Sequence, residues 1–88
     1  MPKYIVVRTV GQLSEEEIEA AGLRSVETLD QMPEVRWIRS YYSAEEGKLY
    51  CEYEAPSAEL VFEHAQRAGI PIDHAAEVVR ELEPAMFR

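Results

Sequence analysis

The sequence predicts an α+β fold with the element order β-α-β-β-α-β, a four-stranded antiparallel sheet carrying two helices on one face. Three observations lead there. The chain opens on a short β-branched run, Lys3–Thr9. A capped helical segment begins at Ser14. Between Trp37 and Pro56 the chain reads W-I-R-S-Y-Y-S-A-E-E-G-K-L-Y-C-E-Y-E-A-P, two β-rich runs around a charged, Gly-closed turn.

Taken in order, Lys3–Thr9 is nearly continuous in apolar character and reads as a well-buried first strand. Ser14-Glu15-Glu16-Glu17 forms a capping box, and its three carboxylates suit the positive end of a helix dipole. The helix continues with Ile18, Ala21, Ser25, Leu29 and Met32 near one face, tolerates Gly22, and ends at Pro33. Glu34–Ser43 is the second strand. Strict alternation places Val35, Trp37, Arg39 and Tyr41 on one face and Arg36, Ile38, Ser40 and Tyr42 on the other. Gly47–Glu54 returns with Leu49, Cys51 and Tyr53 opposite Tyr50, Glu52 and Glu54. Ser57 caps a second helix, Ala58–Ala68, whose apolar face runs through Ala58, Val61, Phe62, Ala65 and Ala68, with Leu60 and His64 at its border. Gly69 stands at its C-terminal cap. In His74–Pro84, propensity favours a helical turn over Asp73–Glu77, and Val78–Glu83 then supplies the fourth strand that the arrangement needs. The whole is the split βαβ, ferredoxin-like arrangement in one domain, residues 1–88.

With both helices on one side, the other sheet face needs a cover. Ile38, Tyr42, Tyr50 and half of the first strand are expected there. Such a face predicts a two-fold homodimer whose sheets meet, a dimeric α+β barrel.

Composition narrows function by exclusion. Apolar residues make up 47% of the 88, enough for a packed core. Seventeen acidic against nine basic residues give a net charge of −8, which repels phosphate backbones, so no nucleic-acid partner is expected. A single cysteine excludes a disulfide framework and multi-Cys zinc patterns. No signal peptide or membrane span is visible, and a cytoplasmic protein without a membrane partner is expected.

The groups able to carry chemistry are few. His64 follows Glu63 on the second helix and is a candidate metal ligand or general base; its plain alternative is a histidine hydrogen-bonded at the helix–sheet boundary. His74 follows Asp73 in a connector, as a metal donor or a solvated loop residue. Cys51 shares a side with Leu49 and Tyr53 and reads as a packed, inert thiol. Glu52 and Glu54 lie opposite it, with Arg36 on the adjacent strand as a candidate partner. Trp37, Tyr41, Tyr42, Tyr50 and Tyr53 suit either a pocket for a small aromatic ligand or the core and interface.

P-K-Y-I-V at the start, W-I-R-S-Y, K-L-Y-C-E-Y-E-A-P, E-H-A followed by G-I-P, and E-V-V-R-E-L-E-P at the end form a combination that runs nearly the whole length. On these motifs the chain resembles a bacterial family of short single-domain proteins of unknown function, described as nickel-binding-protein-like. The resemblance implies a ferredoxin-like homodimer that binds nickel or another divalent transition metal, and it implies no catalytic reaction. His74 lies outside the shared pattern, which shifts the metal expectation to His64, with Glu63 or Glu52 as carboxylate. Two other readings stand beside it: a small dimeric α+β-barrel enzyme with His64 as base and Tyr50 or Tyr41 as proton partner, and a protein-interaction module.

Overall fold

The structure is a computed structural model covering residues 1–88. Its elements are β1 (Lys3–Thr9), α1 (Glu15–Leu29), β2 (Arg36–Ser43), β3 (Lys48–Glu54), α2 (Ala58–Ala68) and β4 (His74–Val78), closed by a 3-10 turn at Pro84–Phe87. The strands form one antiparallel sheet in the order β2-β3-β1-β4, with both helices on one face. This is the expected βαββαβ ferredoxin-like arrangement. Within one chain the sheet is open rather than closed into a barrel.

Alternation assigns the faces. Tyr4, Val6 and Arg8 of β1 point toward the helices with Cys51 and Tyr53 of β3, and all five are buried. Together with Met32, Val35, Ala55 and Val61, the apolar members of that set form the core. Lys3, Ile5, Val7 and Thr9 line the other face with Tyr50, Glu52 and Glu54, where Ile5 pairs with Glu52 and Val7 with Tyr50. No helix is long and apolar enough to cross a membrane.

Three elements depart from the sequence reading. In β2 the partners run Trp37↔Tyr53 and then Arg39↔Glu52, so Ile38 is an extra residue in a bulge. Beyond it the parity inverts. Ser40 and Tyr42 join Trp37 on the helix side, while Arg39 and Tyr41 join Arg36 on the open face, the reverse of strict alternation for Arg39, Ser40, Tyr41 and Tyr42. On α2 the buried positions are Val61, His64, Ala65 and Ala68, and Phe62 is 41% exposed. The inward stripe is therefore rotated by one position, with His64 inside it. Finally, β4 begins at His74 with no helical turn before it, and residues 79–83 form no strand. The free edge of β1 offers ladder partners from Lys3 to Val7, and this pairing overrides the helical preference of Ala75-Ala76-Glu77.

Candidate functional site

The site is a cavity between α1 and the sheet, and the composition of α1 creates it. Ser14 caps the helix by accepting from the Glu17 amide at 3.1 Å, while the Ser14 amide donates to the Glu17 carboxylate at 2.9 Å. The Ser14 amide, with the Ser14 hydroxyl beside it, holds the Glu17 carboxyl below its usual range. The connector ahead of the cap is fastened to β2 and to the β2–β3 turn. Tyr42 Oη donates to the Gly11 carbonyl and accepts from the Leu13 amide. Val10 and Gly11 both donate to the Gly47 carbonyl at 2.9 Å. Gly47 has φ +67°, and a Cβ there would lie 3.1 Å from the Gly11 Cα, so glycine suits both the turn and the close approach.

The helix thus placed turns Ile18, Ala21, Gly22 and Ser25 toward the sheet, and Ser25 is its only buried residue. Side chains this small cannot fill the layer. A Cβ built on Gly22 meets nothing within 4 Å. What remains is a cavity of about 90 Å³ whose walls include Leu13, Trp37, Leu49, Cys51 and Ile70. A larger adjoining groove, about 330 Å³, shares Leu13, Ala21, Leu49 and Ile70 and is also lined by Glu17 and Arg24.

One wall is charged. Arg8, 1% exposed, donates from its guanidinium to the Pro71 carbonyl at 2.9 Å and to Tyr53 Oη at 3.1 Å. It takes part in none of the five ion pairs of the chain. Burial pushes the Tyr53 phenol up, partly opposed by the Arg8 charge. Trp37 Nε1 donates to Ser40 Oγ at 2.9 Å, fixing the indole against the same wall.

Behind Tyr53 lies His64, fully buried, its ring centroid 5.5 Å from that of Tyr53. Its Nε2 is 3.3 Å from both the Ser25 carbonyl and Ser25 Oγ. A carbonyl only accepts, so Nε2 carries the hydrogen and Nδ1 presents a bare lone pair. Nδ1 is the one buried side-chain N or O atom with no partner. Burial, with the Arg8 charge assisting, holds the imidazole below its ordinary value and favours the neutral form.

The sequence-derived candidates fall in separate places. His64 faces the helix–sheet layer and is not part of the cavity wall. Glu63, beside it in sequence, forms an ion pair with Arg67 at 2.6 Å. Glu52 lies on the open sheet face, 3.8 Å from Arg39 and 3.9 Å from Lys3. Arg36 pairs with Glu54 at 3.1 Å, as its position on the neighbouring strand suggests. Tyr41 and Tyr50 are on the open face too, Tyr41 donating to Glu52 and Tyr50 to Glu46. His74 lies there beside Val7. A metal at His64 has a free nitrogen available but does not fit the surroundings. No three His, Cys, Asp or Glu side chains converge anywhere in the chain, and the nearby charge is the Arg8 cation. Arg8 and Ser25 are the site residues that sequence reasoning missed. The available signal was the parity of Arg8 with Tyr4 and Val6, which sends a cation inward.

Residues 4–78 match the family described as nickel responsive protein SCO4226-like. Among solved structures, the chain is similar to the crystal structure of SCO4226 from Streptomyces coelicolor A3(2), with a TM-score of 0.80, 23% identity, and coverage of 91% of this chain and 99% of that one. At that identity the likeness is one of fold. Among curated proteins no sequence matches.

Proposed function

Because the chain belongs to the nickel responsive protein SCO4226-like family, we propose that it is a binding protein of nickel-linked physiology that holds a small ligand in the cavity beneath α1. The observation that carries this is the unfilled space at Gly22, bounded by apolar side chains and by one buried cation. Binding is favoured over catalysis because His64, the one histidine on that side of the sheet, does not reach the cavity, while Tyr41 and Tyr50 are on the opposite face. The test is an NMR fragment screen on the full chain. Ligands should shift the amides of Gly22, Ser40 and Cys51 together in the wild type and leave Gly22→Leu unaffected, because the leucine fills the space. Fragments that never move those three amides exclude the cavity as a site.

A divalent transition metal is the second reading, favoured by the description of the family. The sequence-derived set His64, Glu63 and Glu52 is dispersed, so donors from one chain alone do not suffice. The open sheet face carries Ile5, Val7, Tyr41, Tyr50 and His74, and it is the surface that a second copy would cover in a homodimer. Glu52, Tyr50 and His74 of two copies would then meet. Calorimetric titration of tag-free protein with nickel and with zinc tests this reading. Affinity unchanged in both His64→Ala and His74→Ala removes both imidazoles from any metal site. A sedimentation mass of one chain at micromolar concentration removes the shared site. A cytoplasmic location is part of the same proposal, supported by the buried, unpaired Cys51 thiol.

A further inference from the structure

We infer that the ligand of this cavity is a small monocarboxylate with a short apolar body, its carboxylate received by Arg8; this rests on the reading of the cavity as a ligand site. A guanidinium has five N–H donors in a planar fork suited to a carboxylate. In Arg8 it meets two neutral oxygens, Pro71 O and Tyr53 Oη, and no anion. Removing a cation from water costs several kcal/mol unless a counter-charge accompanies it. This chain has seventeen acidic residues, yet none is placed against its most deeply buried arginine. An arriving carboxylate supplies the missing charge where the low dielectric makes the attraction strong.

The remaining walls define the other end of the ligand. Leu13, Ile18, Trp37, Leu49 and Ile70 offer no charge, so the body is apolar. The volume of about 90 Å³ equals roughly three waters at ~30 Å³ each. Propionate and butyrate are of that size, and a larger body would have to extend into the adjoining groove past Glu17 and Arg24. A free cation is disfavoured by Arg8 itself.

The experiment titrates the full-length protein at neutral pH with butyrate and, separately, with its neutral analogue 1-butanol. Trp37, the only tryptophan, reports fluorescence from the cavity wall, and the amides of Gly22, Ser40 and Cys51 report by NMR. The expected result is saturable butyrate binding at least tenfold tighter than that of 1-butanol. In Arg8→Met, which keeps most of the side-chain volume, the two ligands should bind equally. If 1-butanol binds the wild type as tightly as butyrate, the carboxylate assignment is overturned while the cavity remains a ligand site. If neither probe moves Trp37 or the three amides, both fall. The wild-type comparison decides the matter without the variant, should Arg8→Met fail to fold.

Discussion

Arg8 and Tyr53 interact twice: the guanidinium donates to the phenol oxygen at 3.1 Å, and its central carbon lies 5.8 Å from the centre of the Tyr53 ring. Each residue is held by the other in a layer where neither is in contact with bulk water. The hydroxyl satisfies part of a buried cation, and the cation keeps the phenol from standing alone in an apolar layer.

Removing only the hydroxyl should therefore be costly. Tyr53→Phe leaves a guanidinium donor without an acceptor, and the expected loss is about 1–3 kcal/mol, read from urea unfolding midpoints. In an Arg8→Met background the same change should cost much less, because the donor has gone. A double-mutant cycle with no coupling between the two positions would contradict this account of the pair.

His64 makes stability pH-dependent in a defined direction. Its pKa is lowered in the folded chain below the ordinary 6.5. Between the folded value and 6.5 the unfolded chain binds the proton more readily, so unfolding takes up a proton. The stabilisation is full above about pH 6.5 and is lost as the pH falls through that value toward the folded pKa. The slope from this residue is at most about 1.4 kcal/mol per pH unit, the value for one proton. Urea midpoints of wild type minus His64→Gln, measured from pH 8 to pH 5, should show this fall. A flat difference curve would mean that the imidazole is not held neutral.

Gly22→Ala should stabilise the protein by about 0.5–1 kcal/mol. Glycine inside a helix is less favourable than alanine by that amount, and the added methyl enters open space. A lowered urea midpoint would show that the space is already occupied.

The Cys51 thiol should react with a soluble disulfide reagent only as fast as the chain opens. It is 3% exposed and is the one cysteine present. Butyrate, if held against the same wall, should slow the reaction further. Stoichiometric labelling of the native chain within seconds would show that the cavity opens freely.

Much of this architecture is legible in the residues. The capping box at Ser14–Glu17 marks the start of α1, Ser57 and Gly69 bracket α2, and the alternation of Leu49-Tyr50-Cys51-Glu52-Tyr53 sorts β3 correctly because that strand is regular. Alternation misleads in β2, since one inserted residue inverts everything after it and no residue type announces the bulge at Ile38. Ala75-Ala76-Glu77 reads as helix because local preference cannot register the waiting edge of β1. The cavity was harder still. It arises from smallness at Ala21, Gly22 and Ser25, which looks unremarkable along a helix and matters only when the sheet opposite carries a buried arginine.

The Ile38 bulge also says something about how this chain can change. Deleting that one residue would restore unbroken alternation and leave the faces as they are, because Trp37 and Arg39 already oppose the adjacent residues Tyr53 and Glu52. Ser40 would stay on the helix side with Trp37, and Tyr42 would stay beside the connector before α1. Arg39 and Tyr41 would stay on the open face. A relative one residue shorter in this strand would thus keep both the topology and the chemistry of the two surfaces, whereas a relative of equal length with a regular β2 would exchange them.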